Sequence, residues 1–276
     1  MRGPRANTIL PMEATEFAAD GVRLHTLVRH GEPTILILHG LAGHSGEWNP
    51  VGELLDDSIG VIAPDQRGHG ESGGRTVAEI ERSAYVADAV SLIEHIAGRP
   101  VIVVGQSMGG LVATYLAASR PDLVRHLVLI EAGTRPMTES DFEASEARFD
   151  RWPARFGDEG EAAQFFGSDK PSTPAWIAGL ARTPTGLARR FDPETMMTAM
   201  RTLASTSRIK EWHEISAPTT LIRASDSVIA DDEIDEMVTA RPNTRAIEIE
   251  QSGHDVHLDQ PEQVAIVLSD IAQGHI

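Results

Sequence analysis

Apolar residues along this chain fall into two kinds of run, and their spacing predicts two kinds of element. Short unbroken runs at 34–38, 60–63, 101–104 and 126–130 (Thr34-Ile35-Leu36-Ile37-Leu38 is the first) are the mark of strands buried on both faces. The pattern returns at 219–223 and 245–249. Longer stretches with apolar residues three or four apart, such as Ile80, Ala84, Ala87, Val90 and Ile93, predict helices near 47–55, 76–97, 110–120 and 261–272. Two extended stretches at 16–19 and 22–28 flank Asp20-Gly21 and predict a hairpin. Strands alternating with helices in this way imply a mainly parallel sheet.

The alternation lapses at Gly133. From 134 to 213 no buried-strand run occurs, and four helix-like pieces are expected near 139–155, 158–166, 173–181 and 193–204. Pro171, Pro174, Pro184 and Pro193 punctuate them. The stretch is rich in large side chains, including Trp152, Trp176, Trp212, Met196 and Met200. An all-helical cap is therefore expected at 134–213, inserted into an α/β core made of 1–133 and 214–276. Trp152, Trp176, Met196 and Met200 are candidates to line a pocket beneath it, or to form the cap's own core.

Candidate chemistry concentrates at Gly105-Gln106-Ser107-Met108-Gly109, which follows a predicted buried strand and precedes a predicted helix. A strand turning sharply into a helix at a serine exposes that hydroxyl on a strained elbow, with glycines where side chains would collide. A serine nucleophile needs a base and a group to orient it. Among 11 histidines, His254 is the candidate base, because Gly253-His254 lies between the last strand and the last helix, on the edge where Ser107 sits. His257, three residues on, is expected to pack or cap.

Asp226, on the loop after the next-to-last strand, is the expected acid, with Glu131 at the end of an earlier strand as its rival. On that reading, loss of Asp226 would impair turnover more than loss of Glu131. The cluster Asp231-Asp232-Glu233 reads as a solvated helix start. The oxyanion donors should be the backbone N–H groups of Met108 and of Leu41, in His39-Gly40-Leu41-Ala42-Gly43. His39 is read as structural. Asp65-Gln66-Arg67-Gly68-His69-Gly70-Glu71-Ser72 lacks the lysine of a phosphate loop and reads as a tight scaffold loop held by an Asp–Arg salt bridge.

Composition narrows the field. The 276 residues carry a formal charge of −17, with 41% hydrophobic and 24% charged residues. Such acidity disfavours nucleic acid and anionic membranes as partners. The absence of cysteine excludes disulfides, a thiolate nucleophile and thiolate metal sites. The charged start, Met1 to Arg5, is followed by no apolar segment of signal length, and no run approaches a membrane span, so a cytoplasmic location is expected. No metal or cofactor is expected. The partner is a small-molecule substrate, and the state a monomer or homodimer.

Taken together, His39-Gly40, Asp65-x-Arg67-Gly68-x-Gly70-x-Ser72, Gly105-x-Ser107-x-Gly109, Asp226 and Gly253-His254 make the chain resemble the α/β-hydrolase superfamily, in its branch with a helical cap. The resemblance covers nearly the whole chain. It implies an eight-stranded, mostly parallel sheet with only the second strand antiparallel, a cap between the sixth and seventh strands, and a pocket between core and cap. It implies Ser-His-Asp hydrolysis of a carboxylic ester or lactone. Carbon–carbon bond hydrolases, lyases and perhydrolases keep a similar triad and are the alternative, with a ligand receptor on the same fold as a third reading. The serine nucleophile argues against the dehalogenase and epoxide hydrolase branches.

Overall fold

Runs apolar at every position can satisfy their backbone only inside a sheet covered on both faces, and the computed structural model, which describes residues 12–76 and 79–276, places them there. The charged segment Met1 to Arg5 lies outside the described residues. The hairpin is β1 (Glu13–Ala19) and β2 (Val22–Arg29), joined by a turn in which Asp20 and Gly21 both have positive φ, as a type I′ turn requires. Then come β3 (Thr34–Leu38), α1 (Asn49–Leu54), β4 (Gly60–Pro64), α2 (Arg82–Leu92), β5 (Val101–Gln106), α3 (Met108–Ser119) and β6 (Val124–Ile130). The predicted helix at 76–97 is shorter than expected at its start: α2 opens at Arg82, and Val77 and Ala78 lie outside the described residues.

The stretch between β6 and the next strand of the main sheet holds α4 (Glu139–Arg151), β7 (Arg155–Phe156), α5 (Glu159–Phe166), α6 (Thr173–Ala178), β8 (Ala181–Thr183), β9 (Gly186–Ala188), α7 (Pro193–Ala204) and α8 (Ile209–Glu214). The core resumes with β10 (Thr219–Ala224), α9 (Asp231–Ala240), β11 (Thr244–Ile249), α10 (Val256–Asp259) and α11 (Pro261–Gln273). The main sheet has eight strands in the order β1-β2-β4-β3-β5-β6-β10-β11. Among them β2 alone runs antiparallel to the rest. Side-chain alternation splits the core in two. Leu36, Leu38, Val103 and Leu129 pack on one face with α2, α3, Trp212 and Met237. Ile35, Ile37, Val104 and Ile130 pack on the other with Val51, Val264 and Leu268.

The expectation of an all-helical cap is corrected. β7, β9 and β8 form a small antiparallel sheet within it. Strands of two or three residues are too short to show alternation, and their signal was the turn Thr183-Pro184-Thr185-Gly186. Gly186 has φ 118° there, and a Cβ on it would lie 2.1 Å from the Phe156 carbonyl oxygen. The cap has its own core, built on Phe149, Trp152, Phe156, Leu187, Phe191 and Met196. Trp212 is not part of that core. It packs below the sheet edge, its Nε1 donating to the Met237 carbonyl at 3.1 Å.

The loop after β4 is a scaffold, though not through the expected Asp65–Arg67 pair. Arg67 instead makes a bidentate pair with Asp88 on α2, at 2.7 Å for both bonds. Asp65 accepts from the backbone N–H groups of Ser45 (2.6 Å) and Glu71 (2.7 Å). Buried His69 in this loop is driven by desolvation from 6.5 down to about 3. The unfolded chain therefore binds a proton at this site between those values that the folded chain refuses. Stability falls as pH drops through that window, by up to about 1.4 kcal/mol per pH unit for the site. Asp65, held well below 3.8 by His25 and its backbone donors against the cost of burial, acts in the same sense at lower pH. Urea midpoints measured from pH 7 to pH 4.5 should decline steadily, and a flat profile would contradict this account.

Candidate active site

Ser107 sits between β5 and α3 at φ 50°, ψ −116°, a conformation that side chains other than glycine rarely adopt. The surroundings over-determine it. Its N–H donates to the Ile130 carbonyl at 2.9 Å, and its own carbonyl accepts from Gly110 at 2.9 Å. A Cβ on Gly105 would lie 2.4 Å from the Gly109 oxygen, and one on Gly109 would lie 2.0 Å from the Leu38 oxygen, so neither position admits a side chain. The elbow thus leaves Ser107 partly exposed between buried Gln106 and Met108.

The parallel register of β5 and β6 pairs Gln106 with Ile130. The next residue on each strand is Ser107 and Glu131, so the carboxylate is set beside the serine by the sheet itself. Glu131 also has positive φ (49°), and its N–H donates to the Ile222 carbonyl of β10. Its carboxylate, with no side-chain exposure, stands 3.6 Å from His254 Nδ1. It accepts from Ala224 N (2.8 Å), Ser227 Oγ (2.7 Å) and Val228 N (3.0 Å). Burial alone would push this carboxyl up, but His254 and these three donors outweigh it and hold the group below the ordinary carboxylate value. At 3.6 Å the contact is longer than a hydrogen bond, as in resting sites whose bonds tighten on loading.

Asp226 is not in this constellation. It is exposed at the loop after β10, its backbone N–H donating to the Ser252 carbonyl. The expectation that it orients His254 is therefore corrected in favour of its rival. The loop that carries Asp226 serves another purpose, since Ser227 and Val228 grip the Glu131 carboxylate. Helix α9 likewise departs from its reading as a solvated start. Glu233 is buried and accepts from the N–H groups of Thr134 (2.5 Å) and Arg135 (2.7 Å), tying the first residues after β6 to α9. Both carboxylates were hidden in the sequence because a buried acceptor of backbone N–H groups looks like any surface acid.

Leu41 and Ala42 form the tip of a turn closed by Gly43 N–H donating to the Gly40 carbonyl at 3.1 Å. Met108, first residue of α3, has an N–H without an acceptor in its own helix. Both Leu41 and Met108 border the cavity that contains Ser107. His39 is structural: its Nε2 accepts from Gln66 N–H (2.9 Å), which leaves Nδ1–H to donate to the Gly40 carbonyl (2.7 Å). His254 is fixed from behind, its carbonyl accepting from Gln106 Nε2 at 3.0 Å.

The cavity between core and cap has a volume of about 540 Å³, and Ser107, Glu131 and His254 share it. Trp152, Trp176 and Met200 border it, Trp152 also belonging to the cap's own core. Met196 does not: it is fully buried in the cap's own core. On the cap side the walls also carry Arg135, Arg148 and Arg208. Arg135 is held by Asp232 and Glu236. Arg208 donates to the carbonyls of Gly133, Leu203, Thr206 and Arg135. Arg148 is exposed and makes no ion pair among the described residues. Helix α6 roofs the site at two points: Trp176 Nε1 donates to Asp255 Oδ2 at 3.3 Å, and His44 Nε2 meets the Ala175 carbonyl at 3.1 Å. Among the described residues no cluster of histidines and carboxylates could hold a metal, and no helix is long and apolar enough to cross a membrane.

Known proteins share this architecture. The chain is 26% identical to the 2-(acetamidomethylene)succinate hydrolase of Mesorhizobium japonicum, over 87% of this chain and 88% of that one. It is 28% identical to the (E)-2-((N-methylformamido)methylene)succinate hydrolase of Acinetobacter baylyi, over 85% and 88%. The crystal structure of E-2-(acetamidomethylene)succinate hydrolase superposes with a TM-score of 0.86 at 23% identity, covering 95% of this chain and 99% of that one. The family model for the alpha/beta hydrolase family matches residues 35–267, and with the fold and the elbow serine in place the chain belongs to that family.

Proposed function

We propose that the protein hydrolyses a carboxylic ester or lactone of a small substrate through an acyl-enzyme on Ser107. The observation that supports this most directly is a strained elbow serine opening into the same cavity as a histidine backed by a buried, ionised carboxylate. Ser107 Oγ attacks the substrate carbonyl carbon while His254 takes the hydroxyl proton. Glu131 orients the imidazole and stabilises its charged form. The N–H groups of Leu41 and Met108 receive the oxyanion. The carbon–oxygen bond then breaks, and the leaving alcohol takes the proton from His254. Water repeats the sequence on the acyl-serine, giving the acid and restoring Ser107. Leu111, Met137, Phe149, Trp152 and Met200 on the cavity wall suit an apolar portion of the substrate.

A second reading keeps the same steps but cleaves an amide-type acyl bond in a molecule that bears a carboxylate. Two observations favour it: the named activities of the relatives, and Arg148 on the cavity wall without an ion-pair partner. One panel separates the two. A p-nitrophenyl ester chain-length series is run beside N-acyl compounds with and without a neighbouring carboxylate, in ¹⁸O-labelled water. Ester turnover with label in the released acid supports the first reading, and preferential turnover of the carboxylate-bearing amides supports the second. If no acyl compound turns over and a fluorophosphonate leaves Ser107 unlabelled, acyl transfer is wrong.

A further inference from the structure

Buried carboxylates normally face an arginine or a lysine, because an unpaired charge out of water is expensive. Glu47 does not. It is buried beside the oxyanion turn, lines the cavity, and has no arginine or lysine within ion-pair distance among the described residues. Its Oε2 accepts from the backbone N–H of His44 at 3.3 Å, one residue past the turn. Its carboxylate also closes the space over Gly43, where a Cβ would stand 2.7 Å from Oε2. On its other side Oε1 lies 3.3 Å from Nε2 of His257, an imidazole as buried as Glu47 itself. That ring is stacked on Trp48 at 4.2 Å and an interplanar angle of 13°. His257 belongs to α10, three residues after His254.

From this geometry we infer that Glu47 is a positioning residue that sets the oxyanion turn against the segment bearing His254. The carboxylate touches the end of the turn through His44 and Gly43, and touches the histidine segment through His257. The Gln106 side chain also spans the two segments, its Oε1 against Gly40 and its Nε2 on the His254 carbonyl, so Glu47 holds the far end of the turn while Gln106 holds the near end. Burial would raise its carboxyl, yet the imidazoles of His257, His39 and His44 hold it below the ordinary value, so the tie is made by an anion. The inference rests on acyl transfer at Ser107, since an oxyanion turn has a role only there.

Positioning predicts a split in the kinetics. Glu47→Gln should lower kcat about tenfold and Glu47→Ala about a hundredfold, less than the loss of an oxyanion donor outright, with KM within about threefold of the parent. Binding of a trifluoromethyl ketone, which forms an oxyanion on Ser107, should weaken by the same factors as kcat. A neutral alcohol that competes for the pocket should bind unchanged. Thermal melts establish that each variant is folded; if the alanine variant is not, the glutamine variant decides alone. A folded variant with unaltered kcat and ketone affinity overturns the inference. So does parallel weakening of the ketone and the alcohol, which marks a general structural loss. Absence of ester or amide turnover by the wild-type protein, with Ser107 unlabelled by a fluorophosphonate, overturns the acyl-transfer reading as well, whereas wild-type turnover with unaffected variants overturns the role of Glu47 alone.

Discussion

Replacing Ser107 with alanine will lower kcat for any substrate the protein turns over by on the order of 10⁴-fold or more, with KM little changed. Alanine retains the Cβ, so the elbow and its contacts to Ile130 and Gly110 persist and only Oγ is lost. Its neighbours in the pentapeptide, Gln106 and Met108, carry no hydroxyl and are buried. What remains is the rate supplied by the oxyanion donors and by binding. Steady-state kinetics after fluorophosphonate treatment, which silences contaminating wild-type enzyme, will measure the residue. Turnover within tenfold of the parent would remove Ser107 from the chemistry. Thermal stability should be unchanged or slightly raised, since strained functional positions often trade stability for activity.

The second large effect separates two carboxylates. Glu131→Gln is expected to lower kcat about 10³- to 10⁴-fold, while Asp226→Asn leaves it within about twofold. Glutamine fills the same space and still offers an oxygen to Ala224 N and Ser227 Oγ, while the position facing His254 and the Val228 N–H loses its acceptor. Its amide nitrogen is then turned toward His254 Nδ1, where a donor meets a donor unless the ring takes the wrong tautomer. The imidazolium formed during attack also loses its counter-charge. Asp226 faces solvent, where removal of a charge is screened. Equal losses from the two substitutions, or a larger loss from Asp226→Asn, would reverse the assignment.

Much of the fold was legible because it is written in unbroken apolar runs and glycine spacing. The elbow and the opening hairpin follow from such signals, and each appears in the structure; the antiparallel second strand was implied by the family resemblance. What was not legible depends on register and on who accepts whose N–H. Chain order permits an acid after β10 as readily as one after β6. Only the pairing of Gln106 with Ile130 puts the residue after β6 next to the serine. Glu233 read as solvated because its partners, Thr134 and Arg135, lie about a hundred residues away in sequence. Met196 and Met200 share a helix and a residue type, yet one plugs the cap core and the other reaches the cavity. A step of one turn along the helix, with only about 40° of rotation, is below what composition can tell.

The grip of Ser227 and Val228 on Glu131 has a bearing on how such a site can change over time. The loop after β10 is already shaped as a clasp for a carboxylate arriving from β6, and its own Asp226 is turned outward. A lineage that lost Glu131 would find no spare acid waiting at Asp226: the clasp would have to be remodelled before the new carboxylate could reach His254.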